Sequence, residues 1–341
     1  MTKISKNPWK DLLDNLIRLF PDKQVDCQFL KEGLYIFIPN MEVHIPYPKV
    51  AKFPEGKMNL HHLHTIISLL EKPSLNVFRS SGKLILKEDS LSIDIPHSSI
   101  PDKSNYIQNV KNLYQVQSNN LMDILKGVTG PLKRSKSGGI AENVYWSKTT
   151  LYSYNGVVLS TYSGVPTLSP KSTIIIPKNI VLFLNSFEND EIISYVSVLA
   201  DNSVDITLIE EDTETEIVSI RFTQPDVSVP IWEEFVPTIP KGWMPIPKMF
   251  FRLSDVAVDL AYVYNSQIEL EWNNLTIKAS STPQYCVAFQ FLESTPFPNM
   301  KKGLLDILYI KPILEYSEQM GWEGNHVVFS GGKYKFFMAV E

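Results

Sequence analysis

A segment with apolar residues at helical spacing, followed by short runs of alternating apolar and polar residues, recurs six times along this chain. Repetition constrains the fold more than composition does, because each repeat carries an apolar face that only its neighbours can cover. The segments open near Trp9, Asn59, Asn120, Lys178, Pro247 and Met300. In the first, Leu12, Leu13, Leu16, Ile17 and Phe20 are spaced for one helical face, and alternation follows at 25–29, 34–38 and 43–45. The second places Leu60, Leu63, Ile66, Ile67 and Leu70 before runs at 75–78, 83–86 and 91–95. In the third, a helix over 120–128 and a polar, basic loop precede runs at 143–146, 150–154 and 157–162. Ile180, Val181, Leu184 and Phe187 open the fourth, with runs at 193–199, 204–209 and 217–223. The fifth has Leu253, Val256, Leu260 and Val263, then 267–272, 275–279 and 287–292. The sixth has Leu304, Leu305, Leu308 and Ile313, then 327–330 and 334–340.

The strongest turn- and proline-rich stretches fall after every second repeat, at 97–112 with Pro101 and at 236–247 with Pro237, Pro240, Pro245 and Pro247. Paired repeats then give three domains of ordinary size, 1–110, 111–238 and 239–341. The fold class expected is α+β.

Composition narrows the setting. With 44% hydrophobic and 20% charged residues the chain reads as a soluble globular protein. No apolar run reaches membrane-span length and residues 1–10 are polar, so a cytoplasmic location is expected. Cys27 and Cys286 fall in different expected domains, which suggests neither a disulfide framework nor a cysteine metal site. The net charge of −5 argues against a general nucleic-acid coat. Basic residues nevertheless outnumber acidic ones in the six helical segments, and acidic ones prevail elsewhere. A mildly basic surface built from helices, on an otherwise acidic protein, is the expectation.

Catalytic patterns are scarce, and no enzyme activity, cofactor or metal is expected. Ser135–Gly139 lacks the spacing and the strand-to-helix setting of a phosphate-binding loop. His61 and His64 share a helical face, which fits a metal pair less well than a solvated or DNA-facing surface. Asp255 and Asp259, four apart, read as an exposed acidic stripe ahead of an acid–base pair. Lys126, Lys133, Arg134 and Lys136 form the densest positive patch, in a Gly- and Ser-rich stretch that reads either as a phosphate contact or as a solvated loop tip. Tyr152, Tyr154, Tyr162, Trp232, Trp243 and Trp322 read as core or linker packing without the spacing of a base-stacking platform.

Three domains of two helix-plus-strands repeats resemble the bacterial DNA polymerase III beta sliding clamp family. The local likeness is strongest at Leu151–Leu159 (LYSYNGVVL), which is similar to the family's Thr-Asp-Gly-His-Arg-Leu strand-turn-strand. Gly156 and Leu159 match, Asn155 stands for the Asp, and Val157 and Val158 replace the His and Arg. Phe235–Pro237 resembles the family's hydrophobic-Pro segment leading into the third domain. Phe336–Val340 resembles its closing strand without the usual Pro and Arg. Such divergence is of the kind expected of a phage or plasmid version.

The resemblance implies a homodimeric ring around duplex DNA, helices lining the channel and sheets outside, that tethers a replicative polymerase as a processivity factor. Six repeats then supply half of a ring closed by a two-fold axis. Candidate DNA-facing residues are Lys10, Arg18, Lys126, Lys133, Arg134, Lys136, Lys178, Arg252, Lys301 and Lys302. Polymerase and clamp loader would dock by short peptides, and the positions matching the family's pocket are Gly156, Val157, Val158, Leu159, Val236, Pro237, Phe337 and Met338. Tyr262 and Tyr264 are placed at the dimer junction. The rival reading is a viral structural or assembly protein whose α+β repeats merely stack.

Overall fold

The computed structural model describes residues 2–5, 7–21, 25–30, 33–46, 56–69, 74–80, 83–88, 91–96, 110–130, 142–167, 173–187, 192–246, 248, 250–252, 254–256, 259, 268–271, 276–282, 285–290, 304–306 and 309–339. Helices form at α1 (Asn7–Leu19), α2 (Leu60–Leu69), α3 (Leu121–Thr129), α4 (Lys178–Leu184), the one-turn α5 (Trp232–Phe235) and α6 (Ile310–Leu314). In the fifth repeat, residues 248, 250–252, 254–256 and 259 are helical. The start of the sixth segment is a correction, because Leu304 and Leu305 lie in a strand and the helix begins only at Ile310. Adjacent leucines satisfy either period, and Pro312 sits in the first helical turn, where its missing N–H costs nothing.

The chain divides into two compact units, Met1–Met122 with Leu182–Gln224, and Asp123–Val181 with Pro225–Glu341. The first holds an eight-stranded sheet in the order β5 (Gly56–Asn59), β2 (Asp26–Phe29), β3 (Gly33–Ile38), β4 (Met41–Pro46), β16 (Thr215–Thr223), β15 (Ser203–Glu210), β14 (Ile192–Leu199), β9 (Asn112–Ser118). It also holds a four-stranded sheet, β1 (Thr2–Ser5), β6 (Ser74–Ser80), β7 (Lys83–Glu88), β8 (Leu91–Pro96). The second has an eight-stranded sheet in the order β13 (Thr173–Pro177), β10 (Asn143–Ser147), β11 (Thr150–Tyr154), β12 (Val158–Ser163), β24 (Tyr334–Ala339), β23 (His326–Gly331), β22 (Gln319–Glu323), β17 (Met244–Pro245). Its four-stranded sheet runs β20 (Tyr285–Gln290), β19 (Thr276–Thr282), β18 (Ile268–Glu271), β21 (Leu304–Asp306). Every described pairing is antiparallel, and period-two burial follows: Leu34, Ile36 and Ile38 of β3, and Val204, Ile206 and Leu208 of β15, are buried on alternate positions.

A short strand precedes each helical segment, and sequence periodicity does not reveal it. β1 leads α1 yet pairs with β6, while β5 leads α2 yet pairs with β2. The same exchange recurs as β9 with β14, β13 with β10, β17 with β22 and β21 with β18. Neighbouring repeats thus lend each other a strand.

Each eight-stranded sheet contains a seam where strands from distant parts of the chain meet, and the two seams differ in chemistry. At β12·β24, Val158 faces Met338, Leu159 faces Phe337 and Tyr162 faces Tyr334. At β4·β16, Glu42 faces Arg221 and His44 faces Ser219. Arg221 Nη2 donates to Asp205 Oδ2 of β15 at 3.0 Å, His44 Nδ1 lies 3.1 Å from Glu216 Oε1, and Tyr35 of β3 stacks on His44 at 4.5 Å.

Candidate nucleic-acid and partner-binding surfaces

Of the candidate DNA contacts, Lys10 and Arg18 lie on α1 in the first unit, Lys10 half-buried and Arg18 exposed. Arg18 Nη2 donates to Asn15 Oδ1 at 2.9 Å, and the same helix exposes Asp11 and Asp14. The α1 surface therefore carries both signs. In the second unit Lys126 is half-buried in the last turn of α3, Lys178 opens α4 and is half-buried, and Arg252 is exposed. Lys133, Arg134, Lys136, Lys301 and Lys302 lie outside the described residues, as do Tyr262 and Tyr264.

The alternative chemistries of the sequence find structural partners instead. His64 Nε2 lies 2.5 Å from Asp14 Oδ1, joining α2 to α1, and Lys311 Nζ donates to Asp255 Oδ1 at 2.8 Å. Among the described residues no three His, Cys, Asp or Glu side chains are grouped to hold a metal. Cys27 is buried in β2, where burial pushes its thiol pKa up and keeps it a neutral packing group.

All eight partner-pocket positions fall in the second unit. They begin at a hairpin turn built by Asn155, whose Oδ1 accepts from Val157 N at 2.9 Å and Val158 N at 2.7 Å. Gly156 follows at φ 95°, a left-handed conformation natural to glycine. Because strand side chains alternate, the positions then divide between the two faces of the sheet. Val158 and Met338 join a core with Phe250, Ile310, Ile313, Met320, Val327 and Phe336, rimmed by half-buried Val157, Met244 and Trp322. Leu159, Phe337 and Val236 belong to the opposite face, with Tyr145, Ile175, Trp232 and Val328. Gly156 is exposed and Pro237 half-buried.

That opposite face is covered by residues 225–240, which sequence periodicity passes over because the segment has none. Trp232 stacks on Tyr152 with centroids 4.6 Å apart and planes 4° off parallel, and tilts against Tyr145 at 5.1 Å. Phe235 meets Tyr154 edge-on at 5.0 Å. Aromatic pairs of this kind are worth about 0.5–1.5 kcal/mol each beyond burial. Trp232 is only 2% exposed, yet its Nε1–H has no acceptor among the described residues, a loss of about 1–3 kcal/mol. Lys148 Nζ donates to Glu233 Oε1 at 2.7 Å across the surface.

The first unit's ionic seam carries the clearest electrostatic signature. Burial pushes the Glu42 carboxyl up to about 7, against the pull of Arg221 and His44. Burial also raises Asp205, although Arg221 donates to it, whereas the hydrogen bond with His44 holds Glu216 below the ordinary carboxylate range.

No protein-family model matches the sequence, and no curated protein matches it either. Solved structures do match the fold. The Streptococcus pneumoniae DNA polymerase III beta chain superposes with a TM-score of 0.73 at 12% identity, covering 99% of this chain and 98% of that one. The Borrelia burgdorferi DNA polymerase III subunit beta, solved with a natural product, gives 0.73 at 13%, covering 99% and 97%. The Helicobacter pylori beta clamp, solved with a DNA ligase peptide, gives 0.71 at 15%, covering 99% of each. Over nearly its whole length, and at an identity too low to carry function with it, this chain has the fold of the bacterial DNA polymerase III beta sliding clamp.

Proposed function

We propose that this chain is a non-catalytic DNA sliding clamp: a homodimeric ring of six domains that encircles duplex DNA in the bacterial cytoplasm and tethers a replicative polymerase. Three domains per chain are supported by the strand exchange, which interlocks the first repeat with the second, the third with the fourth and the fifth with the sixth. The observation that carries the ring is the strand order. Both eight-stranded sheets consist of two four-strand blocks joined through the last strand of each repeat, β4 to β16 and β12 to β24. The two four-stranded sheets end in the equivalent strands, β8 and β20, which pair only with β7 and β19 among the described residues. Pairing of β8 with β20 of a second copy, and the reverse, completes two more eight-stranded sheets and leaves no free seam. Tyr262 and Tyr264 are assigned to that junction.

A ring that slides needs weak, exchangeable phosphate contacts, and the mixed charge of α1 suits it. Peptides of the polymerase and clamp loader are assigned to the positions Gly156, Val157, Val158, Leu159, Val236, Pro237, Phe337 and Met338, around which half-buried Val157, Val236, Met244 and Trp322 keep apolar surface part-exposed for an anchor side chain. The H. pylori clamp with its bound ligase peptide supports this mode of docking.

Two measurements test the reading. Sedimentation should give one species of twice the chain mass; an open series of larger oligomers would favour the assembly reading. Loaded onto closed circular duplex, the protein should be retained through a salt wash and released when the circle is cut. Equal retention on circular and linear DNA would exclude encirclement. Neutralising Lys133, Arg134 and Lys136 together should shorten retention and flatten its salt dependence, by about one phosphate contact per charge that faces DNA.

A further inference from the structure

In the first unit, the β15–β16 hairpin and the ionic seam beside it form one acidic surface. Strands β4, β15 and β16 and the turn 211–214 hold seven carboxylates against one arginine and one histidine, with no lysine. At the turn Glu211, Asp212 and Glu214 are exposed, and no cation pairs with them among the described residues. Toward the seam the charge continues on the face turned away from the core. Val43, Val204, Ile206 and Ile220 are fully buried, so Glu42, Asp205 and Arg221, which alternate with them, share the other face. Glu216 joins that face through His44 and through Ser219 Oγ, which donates to it at 2.9 Å. A second observation points to a missing donor. Glu42 is only 5% exposed and its Oε2 has no donor among the described residues, and the same holds for Asp205 Oδ1. An ionised oxygen buried in this way forfeits more than a neutral one. The other side chains of the cluster, His44, Arg221 and Glu216, are between 20% and 34% exposed, so the seam is open to an incoming group.

We propose that this surface docks an extended, arginine-bearing peptide of a partner protein, with guanidinium groups set against the turn carboxylates and one against the Asp205–Glu42 end of the seam. From Asp205 to Glu210 the strand runs about 17 Å, the reach of five or six extended residues. Arginine suits the seam because its planar fork can serve two carboxylate oxygens at once. Nucleic acid is repelled by the same charge. A bare metal ion finds no grouped ligands, since no three His, Cys, Asp or Glu side chains are placed to hold one among the described residues. Occupation has a protonic signature. Burial pushes the Glu42 carboxyl up to about 7, with Arg221 of β16, His44 of β4 and Asp205 of β15 as the charges acting on it. A guanidinium brought beside it favours the ionised form, so docking releases a proton there. All these residues belong to the first unit, and their occupation does not depend on ring closure, on DNA or on the apolar positions of the second unit.

The test titrates a fluorescently labelled Arg-Gly-Arg-Gly-Arg-Gly peptide with the full-length protein, without DNA, and follows anisotropy. The parent should bind it one to one, and the same peptide with citrulline for arginine should not bind. Glu211→Gln, Asp212→Asn and Glu214→Gln together should weaken binding at least tenfold. Glu234→Gln, Glu315→Gln and Glu318→Gln together remove the same net charge from exposed positions of the second unit and should leave affinity within about twofold. Equal losses for the two triple variants would mean attraction to net charge alone and overturn the proposal, as would no binding by the parent. Between pH 6 and 8 the parent's affinity should rise by up to about tenfold, the effect of one proton released from a group titrating near 7. Glu42→Gln should remove most of that rise, and a rise equal to the parent's overturns the placement at the seam. The turn variants alter only exposed side chains, so they decide the proposal even if Glu42→Gln does not fold.

Discussion

Asn155 shows how much one side chain decides locally. It is 5% exposed and its Oδ1 serves two backbone donors that the turn would otherwise bury unpaired. Asn155→Ala should therefore cost about 1–3 kcal/mol, read as a lowered urea midpoint, whereas Asn155→Asp, which keeps the acceptor, should cost far less. Equal losses for the two would mean that the side chain acts by packing alone. The Asn-Gly turn was legible from sequence because its chemistry is local. Which face Leu159 and Met338 occupy was not, since alternation assigns two faces without saying what covers either. Charge placed at Met338, fully buried, tests folding; charge at half-buried Val157 or Met244 tests peptide docking.

At the scale of elements, the strands with their own period were readable, and 33–38, 150–154 and 203–210 stand within a residue or so of where alternation puts them. The leading strands were not, because runs such as Gly56–Asn59 and Met244–Pro245 are too short to carry a period and are held by exchange with a neighbouring repeat. Nor does periodicity disclose that one seam is ionic. Its pH response follows from Glu42, with the charges of Arg221, His44 and Asp205 around it, and from Glu216, which His44 engages. The folded Glu42 carboxyl titrates near 7 and the unfolded one near 4.3, so its stabilising contribution is full below the unfolded value and lost as pH rises through 7. Glu216 has the opposite sign: depressed by His44, it contributes at neutral pH and loses that contribution as pH falls through its folded value. Glu42→Gln should raise stability at pH 8 by about 1–3 kcal/mol and change little at pH 5. Parallel urea-midpoint profiles for variant and parent from pH 5 to 8 would contradict this.

For the whole molecule, the repeat count, the strand exchange and the end strands β8 and β20, each with one neighbour among the described residues, are the features on which the proposed dimeric ring rests, and the repeat count alone was visible in the sequence. The seams also set a timetable on the ribosome. Strand β4 ends at Pro46, but its partner β16 begins at Thr215; at about 5–20 residues per second the nascent sheet waits roughly 10–35 s with that edge open. Glu42 and His44 put charge and polarity on the waiting edge, the kind of device that discourages edge-to-edge association. Strand β12 waits about as long for β24, near the end of the chain, and offers Val158, Leu159 and Tyr162 with no such protection. A truncated chain ending at residue 224 has completed its ionic seam and not its apolar one. It should aggregate through 158–162, and Leu159→Lys should restore its solubility without touching the first unit. In the intact protein, translation pauses after residue 224 should therefore lower soluble yield, while pauses before residue 140 should not.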